Sequence, residues 1–129
     1  MKINHFIIGS DNVIKSTAFY CELFGFQKTD DDPGADGGQV LHGEYSELLI
    51  LPFKPEQLPN PVHFAFEVND MNRFEALLLK ANQMELEPRS EPSRKSARGF
   101  GIFKRGGTTF KNFYVSDPSG SNVEVMVFI

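Results

Sequence analysis

A chain of 129 residues has the length of one domain, long enough to bury a core and too short for two large independent ones. Hydrophobic residues make up 40% and charged residues 23%, which excludes a disordered or fibrous chain. A net charge of −4 with a pI of about 5.3 gives no global basis for nucleic-acid binding. No run approaches the roughly 20 apolar residues of a spanning helix, and Met1-Lys2-Ile3-Asn4-His5 opens no signal-peptide core. The single Cys21 has no internal disulfide partner, so the expectation is a cytoplasmic protein, with no membrane partner and one buried, inert thiol.

Ile3–Ile8 is a strand-length run rich in β-branched residues and closed by Gly9-Ser10, with Ile3, His5 and Ile7 on one face. Ser10-Asp11-Asn12 supplies cap residues for a helix over Val13–Phe24, where Ser16, Phe19, Tyr20 and Leu23 fall at helical spacing and Gly25 is the stop. The stretch Gln27–Gly38 is acidic and turn-rich. Its Asp30-Asp31-Asp32 run lacks the spaced oxygen ligands and closing glutamate of an EF-hand, so it predicts a solvated loop. Strands follow over Gln39–Gly43 and Glu47–Leu51, and the prolines of Pro52–Pro61 make a semi-rigid connector.

The pattern then starts again. Val62–Val68 is a strand that packs Val62, Phe64, Phe66 and Val68 and leaves His63, Ala65 and Glu67 on its other face. Asn69-Asp70 caps a helix over Met71–Asn82 with Phe74, Leu77, Leu78 and Ala81 in one stripe. Shifted by 58 residues, the distance from His5 to His63, Asp11-Asn12 falls on Asn69-Asp70, Phe19 on Leu77 and Leu23 on Ala81. The chain reads as a tandem repeat of one β-α-β-β-β unit within a single domain of residues 1–129: module one over about 1–52, a connector over about 53–61, and module two over about 62–129.

Glu87–Gly107 reads as irregular, and between positions 89 and 111 the chain is basic: Arg89, Arg94, Lys95, Arg98, Lys104, Arg105 and Lys111 are opposed there only by Glu91. Such a cluster beside a cavity favours an anionic ligand. Gly99, Gly101, Gly106 and Gly107 predict a loop able to close over a site. Strands over Thr108–Val115 and Asn122–Phe128 flank the turn Asp117-Pro118-Ser119-Gly120. On the last strand Val123, Val125 and Val127 share one face, opposite Asn122, Glu124, Met126 and Phe128.

Each module thus opens with a histidine beside its packing stripe, and the second closes with Glu124 in the same relation. On one curved sheet with helices outside, His5, His63 and Glu124 all point to the concave side. Two neutral imidazoles and one carboxylate suffice for a divalent metal such as Fe2+, Mn2+ or Zn2+, with positions left open for substrate.

These features resemble the vicinal oxygen chelate superfamily, which contains glyoxalases, extradiol dioxygenases, fosfomycin resistance enzymes and metal-free bleomycin resistance proteins. The resemblance is carried by His5, the Ser16-x-x-Phe19-Tyr20-x-x-Leu23-Phe24-Gly25-Phe26 helix, His63-Phe64-Ala65-Phe66, and Phe113-Tyr114-x-x-Asp117-Pro118-x-Gly120-x-x-x-Glu124. It implies an α+β fold of two βαβββ modules forming an eight-stranded, cup-shaped mixed sheet with helices on the outer face. It also implies a metal on His5, His63 and Glu124, and a homodimer. The same resemblance puts Tyr114 where a tyrosine of extradiol dioxygenases faces the bound catechol, and Arg105-Gly106-Gly107 where their acid/base histidine stands. Glyoxalases add a carboxylate on the last strand of module one, a place that falls on Ile50 when Gly120 is paired with Ser46 and hence Glu124 with Ile50, with Glu47 on the opposite face. The implied function is a small metal-dependent enzyme, dioxygenase-like or fosfomycin-resistance-like, acting on a small and anionic molecule with chelating oxygens. The alternative is a metal-free drug- or metabolite-binding protein.

Overall fold

Eight strands and two helices form among the described residues, 1, 3–58 and 62–129, of this computed structural model. Lys2 and the connector residues 59–61 lie outside them. The chain divides into two compact units: Met1–Asn60 with Asp117–Ser119, and Pro61–Ser116 with Gly120–Ile129.

The first unit contains β1 (His5–Ser10), α1 (Val13–Phe24), β2 (Gln27–Lys28), β3 (Gln39–His42) and β4 (Glu47–Pro52). Its sheet runs β1-β4-β3-β2, with β1 parallel to β4 and the other pairs antiparallel. Helix α1 starts where the Asn12 side chain accepts from the Lys15 N–H, and it stops at Gly25, whose φ of 74° is one glycine adopts freely. Its buried Phe19, Tyr20 and Leu23 cover the sheet face of Leu41, Leu48 and Ile50, all buried. Two polar contacts lie within this packing: Ser10 Oγ to Ser16 Oγ at 2.7 Å, and Tyr20 Oη donating to Asp117 Oδ2 at 2.7 Å. Burial, then the Asp117 charge, push the Tyr20 phenol well above its ordinary range. Cys21 is half-buried, and burial raises its thiol pKa, with Lys28 acting in the opposite sense. The stretch read as acidic and turn-rich opens with the short strand β2, whose two exposed residues carry no apolar alternation to reveal it.

The second unit repeats the order with β5 (His63–Glu67), α2 (Met71–Gln83), β6 (Gly101–Arg105), β7 (Thr108–Ser116) and β8 (Asn122–Phe128). Its sheet runs β5-β8-β7-β6, again with a parallel first pair. Register places Phe66, Val125 and Phe113 in one row across three strands and Phe64, Val123 and Val115 in the next. Phe74 of α2 meets Phe113 edge-on, 5.3 Å between ring centres, so these rows form the helix side. The opposite face carries the rows Ala65, Glu124, Tyr114 and His63, Asn122, Ser116.

The segment Glu87–Gly107 is not irregular throughout. Its last third is strand β6, joined to β7 by Gly106-Gly107, whose φ angles of 57° and 80° suit a tight hairpin turn. The glycines expected to form a closing loop therefore include a strand residue, Gly101, and a fixed turn. No helix among the described residues is long and apolar enough to cross a membrane.

Candidate functional site

In the second unit the chemistry gathers on the face away from α2. Glu124, 4% exposed, lies between Ala65 on β5 and Tyr114 on β7. Burying a carboxylate this deeply costs on the order of several kcal/mol unless donors surround it. Asn112 Nδ2 donates to Oε1 at 2.8 Å, and His63 Nε2 stands 3.0 Å from Oε2. His63 reaches it from two residues before Ala65, since alternate residues of a strand share a face. The His63 ring meets Tyr114 edge-on at 5.2 Å. Burial and then the Glu124 charge push the Tyr114 phenol up to about 12, partly offset by Asn112 and Arg105. Tyr114 thus keeps its proton across the physiological range.

A cavity of about 350 Å³ opens over this network, bordered by Ser90, Phe103, Arg105, Asn112, Tyr114 and Glu124. The basic cluster read from the sequence does not converge on it. Arg89, 4% exposed, is a structural cation: it donates to the Pro92 carbonyl from Nε and Nη2 at 3.2 and 3.0 Å, and from Nη2 to Ser116 Oγ at 3.2 Å and Asn122 Oδ1 at 2.8 Å. Burial, with Arg94 nearby, lowers its pKa. Arg98 pairs with Glu87 at 3.0 Å, while the Lys111 ammonium lies 4.0 Å over Phe100 and 5.4 Å over Phe74.

The first unit holds His5, whose Nδ1 is 3.0 Å from Asn4 Oδ1, so that Nε2 is the ring nitrogen outside this contact. Register puts His5, Glu47 and His42 in one row across β1, β4 and β3. His5 pairs with Glu47 as His63 pairs with Asn122, so the counterpart of Glu124 is Leu49. This corrects two expectations: Ile50, fully buried on the helix side, does not hold that place, and Glu47 shares the face of His5.

Sequence reasoning also missed a cluster here. His42 Nε2 lies 3.1 Å from Asp31 Oδ2 and 3.2 Å from Glu47 Oε1, a spacing compatible with a metal ion. Its signal was the hairpin, since His42 and Glu47 flank the turn closed by Gly43 N–H to Ser46 O at 2.8 Å. Asp31 came from the aspartate run read as a solvated loop. Of the predicted site residues, His63, Glu124 and Tyr114 come together in the second unit, while His5 stands in the first.

A family model for the Glyoxalase/Bleomycin resistance protein/Dioxygenase superfamily matches residues 2–125. No curated protein matches the chain in sequence. Among solved structures, the chain is similar to Oxidase ChaP-H2, at 20% identity and a TM-score of 0.75 over 98% of this chain and 93% of that one. It is also similar to a lactoylglutathione lyase from Agrobacterium tumefaciens, at 18% and 0.70 over 98% and 92%. A third is a glyoxalase/bleomycin resistance protein/dioxygenase from Alicyclobacillus acidocaldarius, at 16% and 0.75 over 99% and 92%. At these identities the likeness is one of fold.

Proposed function

The chain belongs to the glyoxalase/bleomycin resistance protein/dioxygenase superfamily, and from that premise we propose that it is a small divalent-metal-dependent enzyme acting on a small molecule with chelating oxygens. Its chemistry is dioxygenase-like or fosfomycin-resistance-like. The reading rests above all on His63 Nε2 and Glu124 Oε2, 3.0 Å apart on one sheet face. Two atoms about 2.1 Å from one ion and roughly a right angle apart are separated by about 3.0 Å, so the donor pair fits a metal. The third ligand in this reading is the one the family resemblance supplies, His5, whose Nδ1 is held by Asn4. Fe2+, Mn2+ and Zn2+ all suit two imidazoles and a carboxylate, and a bound ion supplies Lewis acidity toward the substrate's oxygens.

The chain's own groups do the rest. Asn112 fixes the Glu124 carboxylate through Oε1. Tyr114 holds its proton and donates it in a hydrogen bond to a substrate oxygen. Phe103 and Ile102 give the cavity apolar wall. Oxidase and lyase names among the similar structures support an enzymatic reading. The same reading takes residues 1–129 as a single cytoplasmic domain working as a homodimer.

Elemental analysis of tag-free protein tests the assignment. His63→Ala and Glu124→Gln are expected to lose the metal and His42→Ala to retain it. Full metal content in His63→Ala overturns the ligand set, and loss confined to His42→Ala moves the ion to the Asp31, His42 and Glu47 cluster.

A second reading, a metal-free binding protein, is favoured by one observation: both Glu124 oxygens already have partners, His63 and Asn112. It predicts tag-free protein that takes up no divalent ion at all.

A further inference from the structure

We infer that Arg105 anchors a single carboxylate on the ligand of the second unit's cavity, so that this cavity selects small monocarboxylates over neutral and dianionic analogues. The inference rests on the proposed function only in taking that cavity as the substrate site.

Of the basic residues concentrated in this part of the sequence, Arg105 alone borders the cavity among the described residues. Arg89 is committed to neutral acceptors, Arg98 to Glu87, and Lys111 to two phenylalanine rings. Arg105 ends β6 on the same face as Phe103, two residues earlier. Its guanidinium lies back over the Phe103 ring, 5.3 Å from the centre, a cation–π contact that holds it against the cavity wall. It forms no ion pair among the described residues, so the fork remains available.

The balance of charge sets the ligand class. Glu91 and Glu124 border the same space, so in the metal-free protein a dianionic head group meets two carboxylates against one guanidinium, and it is in chelator-treated protein that the preference is read. A monocarboxylate matches the planar fork bidentately. Ile102 and Phe103 offer apolar wall, and about 350 Å³ admits a body of the size of one substituted ring.

Calorimetric titration with benzoate, phenylphosphonate and benzyl alcohol, at a pH where the phosphonate carries two charges, tests this. Benzoate is expected to bind about tenfold more tightly than either analogue, the low end of what one hydrogen bond to a charged group contributes. Arg105→Gln should erase that preference, Arg105→Lys should retain part of it, and Arg94→Gln should leave it intact. Benzoate binding unchanged in Arg105→Gln, phosphonate bound as tightly as benzoate, or no benzoate binding at all overturns the inference. Each titration is repeated after chelator treatment with metal content recorded. Arg105-dependent preference in protein that never takes up metal upholds the anchor and sinks the metal reading; protein that takes up metal but shows no preference after chelator treatment does the reverse.

Discussion

Tyr20 and Tyr114 are both held neutral, and the sign of the consequence is the same for each. Their folded pKa values are raised, while in the unfolded chain a tyrosine ionises near pH 10. Between those values the folded state binds more protons, so stability is complete below about pH 10 and falls as pH rises. Tyr20→Phe should flatten part of that alkaline decline in denaturant titrations, leaving the part between about 10 and about 12 that belongs to Tyr114. At neutral pH the same substitution should cost about 1.5–3 kcal/mol, because it removes a buried hydrogen bond to a charged acceptor. Of the candidate residues, His63 and Glu124 were legible because strand alternation fixes a face without knowledge of the fold. Leu49 was not, for a definite reason. The β3–β4 connection runs from Gly43 to Ser46, whereas the β7–β8 connection runs from Asp117 to Ser121, one residue longer. An offset counted along the chain is therefore wrong by one on the last strand, and one residue reverses the face.

At the scale of elements, the hairpin of β6 and β7 is what gives the cavity its wall. Gly101 is required there by close approach, since a Cβ would stand 2.9 Å from the Ser90 carbonyl oxygen and 3.1 Å from Asn112 Oδ1. Gly101→Ala should cost about 1–3 kcal/mol in chemical denaturation, the range for a forced shift in a packed site. It should also displace the Asn112 amide from Glu124, visible as a changed side-chain amide resonance. The helices were legible almost to the residue because Asn12 and Asp70 cap them and Gly25 stops the first. Strands β2 and β6 were hidden because the first is two exposed residues and the second is an edge strand amid glycines and charges, where pairing rather than apolar alternation makes the strand.

For the molecule as a whole, the tandem repeat was legible because each copy repeats the same capped strand–helix opening. What a repeat offset does not contain is the order in which contacts close. The two residues that carry the proposed function, His63 and Glu124, are 61 apart in sequence and meet only through the parallel pairing of β5 with β8. Local elements, the β6–β7 and β7–β8 hairpins and helix α2, close short loops and form early, whereas this pairing must overcome the entropy of a long loop. Saturating ligand should therefore leave the refolding rate in stopped-flow experiments nearly unchanged and slow unfolding instead, by most of the roughly 2.7 kcal/mol available at one hundred times Kd. A site assembled after the folding barrier makes a ligand a guard on the finished protein and no help in building it.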